Sequence, residues 1–533
     1  MKKLPKGLST FQEIIEDNYV YVDKTKYIHK MINTGKLYFL SRPRRFGKSL
    51  LISTLEELFN GNEELFKGLY IHDKWNWTKK YPIIRLDFGK IAHKNPEVLE
   101  NSLDDFINQK ARDYSINLIS RTLTSKFAEL IEEIHKKFST KVVVLIDEYD
   151  KAISSHIDDI EIAKENKNIL RDFYQVLKSC DEHIQFLFIT GIAKFAKTSI
   201  FSDLNNVDDI TIHPKYVNIC GYKQNDLETY FKEHIREISK TINMSYDDLI
   251  NSIKKWYNGY SWDGKNFLYN PFSILKFLDT GKFANYWFET GTPKLLVDLI
   301  KKDSLDIEVL TRKKSEFSGI FPNFDLENLD FSTVLLQTGY LTIKNEFASP
   351  GEQSVYTIAI PNKEVEESLF SYIIGNYTKY SAEKIEPMTR NMLKYIIQLD
   401  EENLQKSFEI LLYKIPNMIY GEIKQELEAY YKILFISWIQ LLGFDIEGEI
   451  MSIKGRLDAI LKHDDLVLII EFKFSKDKSF DEMLKDAKKQ IIDNEYYKPY
   501  QNKNVLILAV AFKPRDVKCQ LITLKDVLIE FKK

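Results

Sequence analysis

Four short runs in the N-terminal part of the chain are apolar at nearly every position: GKLYFLS (Gly35 to Ser41), YPIIRLDF (Tyr81 to Phe88), KVVVLIDEYD (Lys141 to Asp150) and HIQFLFITG (His183 to Gly191). A strand with one face in water alternates apolar and polar residues, so runs without alternation are buried on both faces. Helix-like segments lie between them. The pattern predicts an α/β domain whose parallel sheet is covered by helices on both sides. At 533 residues the chain is too long for one ordinary core, and two or three domains are expected.

The apolar content of 44% and only 14 prolines fit a folded globular protein. A net charge of -3 excludes a global positive field, so any nucleic-acid binding must come from a local patch. Cys180, Cys220 and Cys519 lie far apart and form no C-x-x-C pair. That excludes a zinc knuckle evident from spacing and argues against a disulfide framework. The nine histidines show no H-E-x-x-H spacing. Met1-Lys2-Lys3 is followed by Leu-Pro-Lys-Gly instead of an apolar stretch, so no signal peptide is expected. The longest apolar run, Val505 to Phe512, is far short of the ~20 residues of a membrane helix. The expectation is a soluble, cytoplasmic protein without a membrane partner; homo-oligomerisation is left open.

Domain limits follow from changes in pattern. Residues 1–225 carry the sheet pattern. Residues 226–380 are helical and aromatic-rich, with WYNGYSW and NYWFETGTPKLL and a hairpin expected from LLQTGYLTI and SVYTIAI. Their tryptophans and tyrosines are expected in the core. The stretch YTKYSAEKIEPMTRN is polar without a clear period, which suggests a linker or helical connector over 381–422. In 423–533 a long helix (Ile423 to Leu442) precedes the strands DIEGEIMSI, GRLDAIL, DLVLIIEFKF and NVLILAVAF, with the helix SFDEMLKDAKKQIIDNEYY before the last.

The first strand runs into SRPRRFGKSLL, and the next segment places Leu50, Leu51, Leu55, Leu58 and Phe59 on one helical face. A loop between strand and helix directs free backbone N–H groups and the positive end of the helix dipole at an anion. Lys48 would bridge the β- and γ-phosphates of ATP, Ser49 would hold Mg2+, and Gly47 would let the backbone approach closely. VVVLIDEYD delivers two carboxylates to the carboxyl edge of its strand, where open α/β sheets bind ligands. Asp147 would join the Mg2+ shell and Glu148 would act as general base on water. Thr190, at the end of the next strand, would sense the γ-phosphate. The loop and the acidic strand end occur in the correct order, about 100 residues apart, which raises the meaning of either one.

These residues, with YVDKTKYIHKMINTGKLYFLSRPRRFGKSLL, FLFITGIAKF, WYNGY and YNPFSILKFL, resemble the AAA-ATPase-like proteins of bacteria from about Leu4 to Ile343. In that family an R-P-R-R-F-G-K-S loop is the rule, so Arg42 in place of the first glycine resembles a family variant. Pro43 would stiffen the turn. Arg42, Arg44 and Arg45 would add positive charge near the phosphates, bind a second anion such as DNA, or pair with acidic neighbours. Asp23 and Lys24 would shape the pocket entrance. Arg171 is a candidate arginine finger that no spacing supports.

In GRLDAILKHDDLVLIIEFKF, Glu471 and Lys473 are two apart on one strand and face the same side, while Phe472 faces the other. A turn at His463-Asp464-Asp465 would bring Asp458 on the preceding strand to the same spot. Val467 to Ile470 is apolar on both faces, and unpaired charges at the end of such a strand are costly. Asp458 and Glu471 would hold Mg2+ through oxygen, and Lys473 would orient water or stabilise the transition state of phosphodiester hydrolysis.

The region from about Ile423 to Phe512 is similar to the PD-(D/E)XK nuclease superfamily. The resemblance implies that Glu428 on the preceding helix completes the metal shell, that Gly455 and Arg456 belong to a G-R-x-D form with Leu457 in the loose proline place, and that Gln490 and Tyr496 fill trailing positions. The whole reading is an ATP-binding module joined to a Mg2+-dependent nuclease acting on nucleic acid, DNA ahead of RNA. The competing reading is a nucleotide-dependent switch whose C-terminal domain binds nucleic acid or protein without cutting.

Overall fold

Burial of the apolar runs decides the first sheet. In the structure, a computed structural model, the described residues are 1–156, 159–192, 206–287, 315–318, 331–347, 354–378, 382–413, 437–438, 441, 445–448, 451–452, 455–456, 459–463, 465–513 and 516–531. They fall into two compact units, Met1–Gly291 with Glu316–Asn362, and Thr292–Ser315 with Lys363–Lys533.

In the first unit, β1 (Leu37–Ser41), β2 (Ile83–Asp87), β3 (Val142–Asp147), β4 (Ile184–Gly191) and β5 (Asp208–Asp209) form one sheet in the order β2-β3-β4-β1-β5. Every pairing is parallel, so all carboxyl ends share one edge. Each residue of β1 and β3 is buried, which is why neither run alternates. β4 lies between β1 and β3, and its Thr190 pairs with Leu40. The loop after β1 and the acidic end of β3 therefore stand two strands apart at one edge.

The helix Lys48–Phe59 buries Leu51, Ile52, Leu55, Leu58 and Phe59 against this sheet, with Phe59 meeting Phe186 of β4 at 5.2 Å between ring centres. Helices Gln224–Tyr230, Lys232–Thr241, Tyr246–Tyr257 and Pro271–Thr280 build a second core around Phe231, Tyr257 and Phe277. The three strands β6 (Ser315–Ser318), β7 (Thr342–Phe347) and β8 (Val355–Ala359) follow in the order β6-β8-β7. The hairpin of β7 and β8 starts only at Thr342. LLQT belongs to the helix Phe331–Thr338, because Val334 and Leu335 are buried together and Thr338 turns back to the Val334 carbonyl at 2.6 Å.

The second unit holds β9 (Asp445–Gly448), the two-stranded β10 (Met451–Ser452) and β11 (Gly455–Arg456), then β12 (Ala459–His463), β13 (Leu466–Phe474), β14 (Asn504–Lys513) and β15 (Asp516–Thr523). Its mixed sheet runs β15-β14-β13-β12-β9, with only β13 and β14 parallel. Leu468, Ile470 and Phe472 face the helices Ala382–Ile397 and Glu401–Tyr413 through Met392, Ile396, Leu404 and Phe408. Val467 and Ile469 face the other way, packing with Ile491 and Tyr496.

The stretch expected as a linker or helical connector is mostly helical where described. Its buried Thr389, Met392 and Ile396, then Leu404 and Phe408, are spaced as helices require. The helix expected over Ile423 to Leu442 falls almost wholly outside the described residues. No helix among the described residues is long and apolar enough to cross a membrane.

Candidate functional site

The phosphate loop is shaped by two left-handed residues. Gly47 caps the helix Lys48–Phe59 with φ 92°, and Arg45 has φ 68°. A side chain at Gly47 would have open space around it, so the position needs glycine for its dihedral and not for room. Lys48 is buried and folds back over the loop, its ammonium donating to the carbonyls of Arg42 at 2.9 Å and Pro43 at 3.0 Å. Burial pushes its pKa below the usual lysine range, and Asp147 and Asp150 partly restore it. Asp147, 2% exposed, is raised above the usual carboxylate range by burial, against a hydrogen bond from Ser49 and the charge of Lys48. Loop and strand end thus share one edge, close enough for Ser49 and Lys48 to act on the Asp147 carboxyl.

Glu148 follows in the left-handed region, φ 53°. Burial raises its carboxyl, but a 2.7 Å bond from Lys151 and the charges of Lys48 and Arg44 outweigh it and hold the group below the usual range. Thr190 is fully buried, and among the described residues its hydroxyl has no hydrogen-bond partner. Arg44 and Arg45 are partly buried and exposed respectively. The Arg45 guanidinium lies 5.0 Å from the centre of the Phe272 ring.

Arg42 does not point at the phosphate place. Its guanidinium is 1% exposed, donates to the carbonyls of Ser41 and Thr211 at 2.8 Å each, and stacks 4.0 Å over Trp262. Burial lowers its pKa to about 10, against the charges of Cys220, Asp209 and Asp263. Of the places expected for the three arginines, near the phosphates, on a second anion or beside an acidic neighbour, Arg42 instead is held by backbone carbonyls and an aromatic face. Phe46 packs edge-on against Tyr260 and Trp262, and Trp287 donates to the Arg44 carbonyl at 3.2 Å. Tyr260, Trp262 and Trp287 of the middle region are buried and support the loop from behind.

Asp23 binds Thr25 and the Tyr70 N–H, and Lys24 pairs with Asp226 at 2.8 Å, so both fasten chain segments. Arg171 bonds its neighbour Asp172 at 3.0 Å. Two carboxylates outside the motifs share the same edge. Asp87 pairs in register with Asp147, and a methyl group at Gly89 would stand 2.9 Å from Asp87 Oδ1 and 3.3 Å from Glu148 Oε2. An acid closing the apolar run YPIIRLDF is the same signal that marks Asp147. Asp150, which receives the Ile192 N–H at 3.3 and 3.2 Å to its two oxygens, had no such signal.

In the second unit, β13 delivers Glu471 and Lys473 to the face shared with the helix Phe480–Asp493. Glu471 is 2% exposed. Lys473 donates to Glu471 Oε1 at 2.7 Å and to Gln490 Oε1 at 2.6 Å. Their register partners on β14 are Ala509 and Ala511, the smallest side chains that keep the strand packed. Tyr496 lies in the core and takes a bond from Asn494 at 2.8 Å. Glu428, Leu457 and Asp458 lie outside the described residues, as does the side chain of Arg456. Among the described residues no three His, Cys, Asp or Glu side chains gather as a metal site.

A parallel sheet with a glycine-lysine-serine loop at its carboxyl edge defines the first unit as a P-loop nucleotide-binding fold, and a mixed sheet with a buried E-x-K pair defines the second as nuclease-like. Residues 5–201 match the family described as "Predicted AAA-ATPase", and residues 426–520 match the PD-(D/E)XK nuclease superfamily. A protein of Azotobacter chroococcum mcd 1, named "Uncharacterized protein in vnfD 5'region", is 36% identical over 474 residues, which is 89% of each chain. The chain belongs to the family of AAA-ATPase-like proteins that carry a PD-(D/E)XK nuclease domain.

Proposed function

We propose that the protein binds and hydrolyses ATP in its first unit and cleaves phosphodiester bonds of DNA, with Mg2+, in its second. The observation that carries the reading is that the buried Lys48, after β1, and the buried Asp147, ending β3, stand at the same carboxyl edge of one parallel sheet. The side chains fit the ligand: Ser49 and Asp147 offer hard oxygens of the kind Mg2+ takes, and the buried Thr190 hydroxyl has no hydrogen-bond partner among the described residues. Gly47, Arg44, Arg45 and Lys48 would hold the phosphates, and Ser49 and Asp147 the ion. The bound Mg2+ supplies charge neutralisation at the phosphate oxygens. Glu148 accepts a proton from the attacking water.

For the second unit the support is Lys473, held between Glu471 and Gln490. Lys473 keeps a cation beside the carboxylate, where it can orient water or steady the charge developing on phosphorus oxygens. Ala459 pairs with Ile470, the neighbour of Glu471, and Asp458 precedes Ala459 in the chain. Asp458, Glu471 and Glu428 are the proposed metal ligands.

Plasmid, single-stranded DNA and RNA incubated with Mg2+, with and without ATP, test the reading. Cleavage that survives unchanged in Asp458→Ala and Lys473→Ala removes the proposed active site. The second reading, a slow nucleotide-dependent switch with a non-cutting C-terminal domain, is favoured by the pairing of Glu148 with Lys151. Tight nucleic-acid binding without cleavage in any of these conditions would select it.

A further inference from the structure

The turn after β3 is fastened at every residue around Glu148. The Glu148 N–H donates to Asp147 Oδ1 at 3.0 Å, and the Tyr149 N–H to the Thr190 carbonyl at 3.1 Å. Tyr149 is fully buried, edge-on to Phe39 of β1 at 5.4 Å between ring centres. Asp150 receives the Ile192 N–H, and the Lys151 N–H closes the turn on the Glu148 carbonyl at 2.9 Å. With its backbone held in the left-handed region, an unusual place for a residue with a Cβ, Glu148 has only its side chain free to turn.

That side chain is engaged. Glu148 Oε2 meets the Lys151 ammonium at 2.7 Å, and both side chains keep about a third of their surface in water, 31% and 34%. An ion pair so exposed is weak and opens readily. The engaged carboxylate also lies against Gly89, where a methyl group would approach Oε2 to 3.3 Å. The pair thus has the features of a latch: a fixed pivot and a shallow contact that keeps the carboxylate in place.

We infer that Lys151 is a positioning residue that holds the Glu148 carboxylate in a resting orientation, off the water it would activate, and so sets a low basal rate of ATP hydrolysis. The inference rests on the reading of Glu148 as general base. Removing the ammonium, or crowding the resting place at Gly89, releases the carboxylate.

Phosphate release by the full chain at saturating ATP and Mg2+ is measured beside equilibrium binding of a non-hydrolysable ATP analogue. Lys151→Met should raise kcat about fivefold, the ratio that loss of one surface ion pair allows, with KM unchanged. Lys151→Arg should keep the low rate, Gly89→Ala should raise it, and Lys151→Met with Glu148→Gln should be inactive. A merely structural lysine would not give a faster enzyme. Intact analogue binding with a Lys151→Met rate at or below wild type overturns the latch alone, as does a raised rate that persists in the double variant. Failure of the wild type to bind the analogue removes the nucleotide-site reading and the latch with it.

Discussion

Arg42 stands where a phosphate loop ordinarily has its first glycine, and its surroundings explain how the loop closes without one. The backbone N–H of Arg42 bonds the Gly191 carbonyl, while the guanidinium ties the loop to Thr211 and Trp262. Arg42→Ala leaves the carbonyls of Ser41 and Thr211 without their donor in a dry place. It is expected to lower stability by about 2 kcal/mol, read from the midpoint of urea unfolding. In the proposed nucleotide site Lys48 and Glu148 would act on ligand. Lys48→Ala should weaken ATP-analogue binding about tenfold or more, and Glu148→Gln should keep binding while stopping phosphate release. Equal turnover in all three proteins would place the activity elsewhere.

The contact between Pro43 of the loop and Gly339, after the helix Phe331–Thr338, belongs to the scale of elements. A Cβ at Gly339 would meet Pro43 Cβ at 2.8 Å, and the residue has φ 95°. Gly339→Ala therefore strains the backbone and pushes the phosphate loop. The expected outcome is a stability loss on the order of 1–3 kcal/mol together with weaker nucleotide binding, measured by thermal unfolding with and without ATP analogue. Strand runs without alternation were legible as buried parallel strands, and β1 to β4 lie where those runs are. The helix in LLQT was not, and the stretch that forms Ala382–Ile397 showed no clear helical period. Burial there is decided by partners distant in the chain, such as Phe512 in the cluster that holds Met392.

Across the whole molecule the two proposed chemistries sit in different compact units. Lys473→Ala should cut DNA cleavage about 100-fold, as loss of a group acting in the transition state does, while leaving ATP turnover as it is. Lys48→Ala should show whether cleavage needs nucleotide. The Lys488 ammonium, 5% exposed and bonded to both Glu530 oxygens at 2.7 Å, ties the C-terminal helix Leu524–Phe531 to Phe480–Asp493. That contact spans 42 residues, and its motif-free lysine and glutamate gave no sign of it.

The order of residue types along the chain determined the two sheets, the phosphate loop at the end of one strand and the E-x-K pair on another, because periodicity and short motifs are local properties. Only the tertiary structure decided where the charged groups go. Arg42 turns into the core, Asp87 comes beside Asp147, Lys151 takes the carboxylate of Glu148, and Gln490 takes Lys473. Each of these depends on a partner brought close by packing, and the energy of a charge is fixed by what surrounds it.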